Sequence, residues 1–241
     1  MRLNKFLSEA GFCSRRAADR LIESGKVTIN GSLAMVGMQV EEGDDVCVEG
    51  QPVRRENEAV LLLFNKPRGV VCTAEKREKD NVIDYINYPI RIYPIGRLDK
   101  ESEGLLLMTN QGDLVNKIMR AGNFHEKEYT VRVNKEITKN FLMQMRKGVP
   151  ILETVTRACQ VRQIDEYTFT IILTQGLNRQ IRRMCEYLGY QVVELRRDRI
   201  MNFKLTNLQR GKCRLATVEE IAELDKALMG STSLSFKERG E

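Results

Sequence analysis

The sequence predicts an α+β protein in two parts, and three observations carry the prediction. Over the first fifty residues, two stretches with apolar residues at helical spacing are followed by short, turn-signalled strands. Residues 51–58 are polar and include Pro52 and the adjacent Arg54 and Arg55, the composition of a linker. From Ala59 to Leu228 strand-like runs and helical stretches are mixed, which predicts a larger α+β domain. The 241 residues suffice for a small domain plus a medium one without a disulfide or metal staple.

In the first part, Leu3, Phe6, Leu7 and Ala10 share one face of a helix over Arg2 to Ala10, and Gly11 ends it. Ser14 caps a second helix from Arg15 to Ser24. Its apolar face is Ala17, Ala18, Leu21 and Ile22, while Arg15, Arg16 and Arg20 project elsewhere. Lys26 to Asn30 alternates, Asn30-Gly31 signals a hairpin turn, and short strands follow to Val48.

In the second part, Val60 to Phe64 is a buried strand, Lys66-Pro67-Arg68-Gly69 a turn and Val70 to Thr73 a strand. Ala74 to Asp80 is a charged loop and Asn81 to Ile86 a short helix. Further on, helices are predicted at Asp113 to Met119 and from the Thr138 cap to Lys147. Strands are predicted at Glu128 to Val133, Thr156 to Val161 and Tyr167 to Leu173. Asn178 is expected to cap a helix reaching Leu188, with Ile181, Met184, Cys185 and Leu188 as its stripe and Arg179, Arg182 and Arg183 on the remaining faces. Strands at Val192 to Arg196, Arg199 to Met201 and Phe203 to Leu205 come next. Thr217-Val218-Glu219-Glu220 is a capping box for a last helix to Leu228. Residues 229–241 are small and polar and are expected to be disordered.

One stretch organises the rest. Ile95 to Thr109 holds a charged loop between Gly96 and Gly104, followed at once by the apolar run Leu105 to Met108. Such a run between turn signals reads as a buried strand, which anchors the loop to the core. Arg97 and Asp99 lie two apart and point the same way in extended backbone. A cation beside a carboxylate favours its ionised form, suited to nucleophilic or electrostatic work. From this stretch alone, a solvated turn of Arg97, Asp99, Lys100 and Glu101 is the simpler reading.

Composition narrows the chemistry. The formal net charge is +6, but between Gly176 and Arg214 there are ten Lys or Arg against three Asp or Glu. Basic charge focused in this way fits a nucleic-acid footprint as well as a solvated face. Six cysteines are scattered without Cys-x-x-Cys spacing, and His125 is the single histidine. A metal site and a His-based triad therefore lack material. Reduced thiols, the absence of an apolar leader and the lack of a membrane-length apolar window point to a cytoplasmic protein.

Several motifs then carry a resemblance. Arg2-Leu3-Asn4-Lys5-Phe6-Leu7, Cys13-Ser14-Arg15-Arg16-Ala17 and Gly25 to Gly31 resemble, in order and spacing, the S4 RNA-binding module over residues 1–50. The resemblance implies that Arg2, Lys5, Arg15, Arg16, Arg20 and Lys26 face RNA. Gly96-Arg97-Leu98-Asp99, Glu126-Lys127-Glu128-Tyr129 and Asn178 to Met184 complete the set. Together they closely resemble bacterial ribosomal pseudouridine synthases of the RsuA type, and within that family the members acting on the large subunit.

The resemblance implies a mostly antiparallel, mixed-sheet catalytic domain that isomerises uridine to pseudouridine in large-subunit rRNA, with no cofactor and no metal. It implies Asp99 as the catalytic carboxylate, acting on the sugar, on the base or as a proton acceptor. Arg97 would enter the space left by the flipped uridine, Tyr129 would contact the base, and Arg182 would pair with Asp99. Arg179 and Arg183 would contact phosphates. Leu205 is a weaker candidate for the apolar residue beneath the base. A monomer is expected, with rRNA, naked or in an assembling particle, as its partner. The alternatives are a non-catalytic RNA-binding or ribosome-assembly factor, a synthase acting on tRNA or small-subunit rRNA, and a glycosylase that releases free base.

Overall fold

The computed structural model describes residues 1–54, 59–75 and 77–229. Residues 55–58 of the expected linker, Lys76 of the charged loop and the tail from residue 230 lie outside the described residues. The chain forms two compact units. One comprises Met1–Val60, Tyr88–Tyr93 and Asn110–Gly112; the other comprises Leu61–Asn87, Pro94–Thr109 and the chain from Asp113 on.

The first unit holds helices α1 (Leu3–Glu9) and α2 (Arg15–Glu23) and strands β1 (Val27–Ile29), β2 (Ser32–Leu33), β3 (Val46–Val48) and β4 (Gln51–Pro52). The strands form a sheet in the order β2-β1-β3-β4. Ser14 caps α2 by accepting a hydrogen bond from the Ala17 amide. Asn30 and Gly31 both have positive φ, 51° and 79°, as the predicted tight hairpin turn requires. Leu3, Leu7, Ala18, Ile22, Val27, Val46 and Val48 make the core. The guanidinium of Arg91 ties residues 88–93 to this unit by donating to the carbonyls of Ser8 and Cys13 near the end of α1. Gln51 and Pro52, read from the sequence as the start of a linker, pair with β3.

The second unit opens with β5 (Leu61–Lys66) and α3 (Val82–Ile86). It continues through β6 (Tyr93–Ile95), β7 (Glu103–Thr109), α4 (Gly112–Met119), β8 (Lys127–Val133) and α5 (Lys139–Lys147). A small hairpin of β9 (Pro150–Ile151) and β10 (Thr154–Val155) precedes β11 (Gln160–Gln163) and β12 (Thr168–Leu173). Last come α6 (Gln180–Tyr187), β13 (Val192–Ile200), β14 (Phe203–Lys204), β15 (Cys213–Leu215) and α7 (Val218–Leu228). The main sheet runs β11-β12-β8-β13-β7-β5-β15, with β14 on β13 and β6 on β7. The pairing of β13 with β7 is parallel and the other registered pairings are antiparallel, so the sheet is mixed and mostly antiparallel, as expected.

Two apolar clusters hold helices to this sheet. Phe141, Leu142 and Met145 of α5 and Ile181, Met184 and Cys185 of α6 pack with Val131, Phe169, Ile171 and Leu195. Ile118 of α4 and Leu224 and Leu228 of α7 pack with Leu61, Leu63, Leu105 and Leu107. Leu105 to Met108 are all fully buried, because both faces of β7 are covered. The Thr217–Glu220 capping box forms as predicted.

Four predicted features differ. The strand expected over Thr156 to Val161 begins only at Gln160, as β11, because Thr156 prolongs the β9–β10 hairpin by donating its amide to the Val149 carbonyl. Val70 to Thr73 is not a strand: Val71 makes one isolated bridge, to Asn81. The two strands expected over Val192 to Met201 are one strand, β13, carried through two register shifts. Asn178 does not cap α6. Arg179 occupies the cap position in left-handed backbone, and the Gln180 side chain folds back to accept from the Leu177 amide. The hairpin β9–β10 and strand β15 were not expected; at two or three residues they are too short for a periodic signal.

Candidate active site

The loop from Gly96 to Ser102 enters the sheet at β7 beside the parallel partner β13. Gly104 sits opposite Arg197 in that register. Its φ is +104°, and a Cβ there would lie 2.3 Å from the Arg197 carbonyl oxygen, so only glycine lets the two backbones approach. Gly96, at φ +73°, turns the chain out of β6.

The loop is held from beneath by the Lys66–Gly69 turn. The fully buried Lys66 ammonium donates to the carbonyls of Pro67 and Ser102. Arg68 donates to the Glu101 carbonyl, and the Gly69 amide to that of Lys100. The Leu98 amide points to the Cys72 sulfur at 3.4 Å, and the Ser102 amide closes a turn onto the Asp99 carbonyl. Within the stretch predicted as a strand over residues 70–73, Cys72 thus backs the loop. Alternation along the loop then buries Leu98, leaves Arg97 exposed and half-exposes Asp99.

Asp99 lines a cleft of about 330 Å³ together with Arg97, Tyr129, Arg179, Arg182 and Arg197. Arg182 Nε lies 3.8 Å from Asp99 Oδ2, and Arg179 Nη1 stands at the same distance. The cations beside Asp99 are therefore these two, which the sequence places eighty residues away, and not the neighbouring Arg97. Arg182 is 8% exposed, so it belongs to the buried side of α6 although the helical stripe placed it elsewhere. Its other donors reach the Ser102 hydroxyl at 3.2 Å and the Val192 carbonyl at 3.4 Å. Burial, together with the charge of Arg179, pushes its pKa down; the Asp99 charge acts against this. Arg179 also reaches Glu101 at 3.3 Å. Its left-handed backbone, φ 50°, is the kind of strain held at working sites. Arg183 stands apart and donates to Asn178.

Tyr129 projects from β8 into the cleft and packs partly on the core below. Lys127 shares its face of the strand, by the period of two, and lines the same cleft. This lysine is 5% exposed, its ammonium donates to the His125 carbonyl, and burial with the charge of Arg197 lowers its pKa to about 8. Arg197 is 2% exposed and donates to the Leu105 carbonyl. Sequence reasoning gave Lys127 and Arg197 no role; strand parity with Tyr129 and Leu195 was the signal that would have found them. Leu173 and Leu195 are apolar walls of the cleft. Leu205, the weaker candidate, lines a different cavity, with Glu128, Arg196 and Asp198, and is not among the residues lining the Asp99 cleft.

The remaining expected RNA-facing residues lie in the first unit. Arg2, Arg15, Arg16, Arg20 and Lys26 are exposed and Lys5 half-buried. Lys5 pairs with Glu9 at 3.6 Å and Lys26 with Glu49 at 2.6 Å, while Arg15 donates to Asn4. Among the described residues no group of His, Cys, Asp and Glu is arranged to hold a metal ion.

Comparison with known proteins agrees with this architecture. Residues 60–187 match the RNA pseudouridylate synthase family and residues 1–46 the S4 domain. The chain is 54% identical over 234 residues to the dual-specificity RNA pseudouridine synthase RluF of Salmonella typhi, covering 96% of this chain and 81% of that one. It is 37% identical over 232 residues to ribosomal large subunit pseudouridine synthase B of Bacillus subtilis, covering 92% and 95%. A crystal structure of a pseudouridylate synthase superposes with a TM-score of 0.69 at 28% identity, covering 93% of this chain and 99% of that one.

Proposed function

The chain belongs to the RNA pseudouridylate synthase family, an isomerase family, and from that premise we propose that it isomerises a uridine of large-subunit rRNA at Asp99. One observation carries the placement. Among the described residues lining the cleft, Asp99 is the sole acid, facing Arg97, Lys127, Arg179, Arg182 and Arg197. A surface that only held RNA would have no use for a carboxylate aimed at a polyanion.

The chemistry breaks the N1–C1′ bond, turns the base over and joins C5 to C1′, with loss of the C5 proton. Arg97, exposed at the rim, fills the gap left in the RNA by the flipped uridine and offsets part of the unstacking cost of a few kcal/mol. The base enters between Tyr129 and the apolar walls Leu173 and Leu195. Asp99 acts at the reacting centre. Arg182 and Arg179 fix its carboxylate, and the water-poor setting of Arg182 strengthens that hold. Arg2, Lys5, Arg15, Arg16, Arg20, Lys26 and Arg183 contribute charge along the RNA backbone, positioning it without reading its sequence. Residues 1–50 serve as the docking module and 59–228 as the catalytic domain. The ribosomal target rests on the names of the relatives, one of which is a large-subunit enzyme.

Large-subunit rRNA carrying tritium at C5 of uridine tests this reading, because forming the C5–C1′ bond expels that hydrogen. Release by the wild-type protein with no free uracil, and release lowered ~10²- to 10⁴-fold in Asp99→Asn, is the expected result. Absence of release from naked rRNA and from precursor particles alike would exclude large-subunit rRNA as the substrate.

A further inference from the structure

We propose that Phe124, on the loop between α4 and β8, is a stacking platform for a nucleobase that neighbours the target uridine. The proposal rests on the reading that this cleft takes RNA. Phe124 is 60% exposed and has φ +54°. A bulky residue in left-handed backbone is an outlier that persists where the surroundings fix it. Here they do. On one side the Asn123 side-chain amide donates to the Lys117 carbonyl at 2.7 Å. On the other, His125 Nδ1 meets the Ile118 carbonyl at 3.2 Å, which makes that nitrogen the donor. Both neighbours are thus tied to carbonyls of the last turn of α4, and the ring between them is held outward.

A single exposed apolar side chain is ordinary and calls for no explanation. Phe124 differs in how its ring is furnished. The Arg157 guanidinium lies over one face, 4.2 Å from the centroid. Arg157 is itself anchored: its amide donates to the Gln175 side chain and its Nη1 points to the Thr174 carbonyl. Gln175 lines the Asp99 cleft, as do Met119, five residues before Phe124, and Lys127, three after it. The ring therefore stands beside the cleft, backed by a cation on one face, with the remainder open. Aromatic faces stack on any base, and a cation behind the ring adds attraction for a polyanion. An unpaired nucleotide flanking the flipped uridine is the partner that fits.

The test uses the full chain and the large-subunit rRNA fragment it binds most tightly, with 2-aminopurine placed in turn at each unpaired position. Stacking on Phe124 should quench the fluorescence at one position, and Phe124→Leu should abolish that quench alone. Loss of one stacked base should weaken RNA binding and raise KM ~5- to 150-fold, with kcat held. Phe124→Tyr should restore both quench and KM. A quench pattern unchanged in Phe124→Leu, or a kcat that falls while KM holds, would overturn the proposal. The binding assay needs no turnover. Phe124-dependent quenching without tritium release would therefore sink the substrate assignment and keep the platform; release without such quenching would sink the platform alone.

Discussion

Arg182 Nε lies 3.8 Å from Asp99 Oδ2 and is buried with no hydrogen-bond partner among the described residues. A donor left unsatisfied beside a carboxylate is a poor stability device and a good catalytic one, since such bonds tighten when the site is occupied. Asp99→Asn should lower isomerisation ~10²- to 10⁴-fold while RNA affinity, measured by filter binding, is kept. Arg182→Met should lose activity too, with a modest fall in melting temperature, because Asp99 keeps Arg179 while the Ser102 hydroxyl and the Val192 carbonyl lose their donor. A steep drop in melting temperature would make Arg182 a structural brace.

Lys127 should set a pH signature on stability. Its pKa is about 8 in the fold against an ordinary 10.5, so between these values the unfolded chain binds the extra proton. This lysine therefore opposes folding fully below pH 8, and the opposition is relieved as pH rises towards 10.5. Lys127→Met should raise the unfolding free energy near pH 7 by at most ~3 kcal/mol, with the gain shrinking near pH 10. Urea unfolding at the two pH values measures it; a gain independent of pH would contradict the argument.

Gly104→Ala should be severely destabilising. The added methyl would meet backbone atoms of Arg197 at 2.3 and 2.7 Å, which no rotamer change relieves, and the φ of +104° adds strain. A loss of ~3 kcal/mol or more is expected, seen as a lower urea midpoint. Because the contact joins β7 to β13 just past the Asp99 loop, activity should fall with it. An unfolding free energy within ~0.5 kcal/mol of wild type would mean that the strand pair can part cheaply.

Binding of rRNA should be strongly salt-dependent. With ~6–10 phosphate contacts, affinity should drop ~10³- to 10⁵-fold between 50 and 200 mM salt. Arg15→Ala and Arg16→Ala should each flatten the slope by about one counterion without changing sequence preference. A flat salt response would rule out the basic surfaces as the docking footprint.

The comparison of sequence with fold divides along physical lines. Helices announced themselves where caps and periodicity coincide: Ser14, Thr138 and Thr217 each accept the hydrogen bond their positions foretold. The buried run Leu105 to Met108 declared β7, and Asn30-Gly31 its hairpin, because these signals are local. Asn178 misled because Arg179 takes the cap position in left-handed backbone, the Gln180 side chain turns back to accept from the Leu177 amide, and the Asn178 side chain accepts from Arg183 instead of from the first turn. Nothing local distinguishes those outcomes.

The family resemblance and the residues that carry it were therefore determined by the sequence itself: short motifs, their order and their spacing. Only the tertiary structure decided that Arg179 joins the expected Arg182 beside Asp99, that Lys127 and Arg197 lie buried in the cleft, that Leu205 lines another cavity, and that Phe124 is held outward. The reason is the range of the forces involved. Propensity, capping and turn chemistry act within a few residues, whereas the ion pair of Asp99 with Arg182 joins positions brought together by sheet register and the packing of α6.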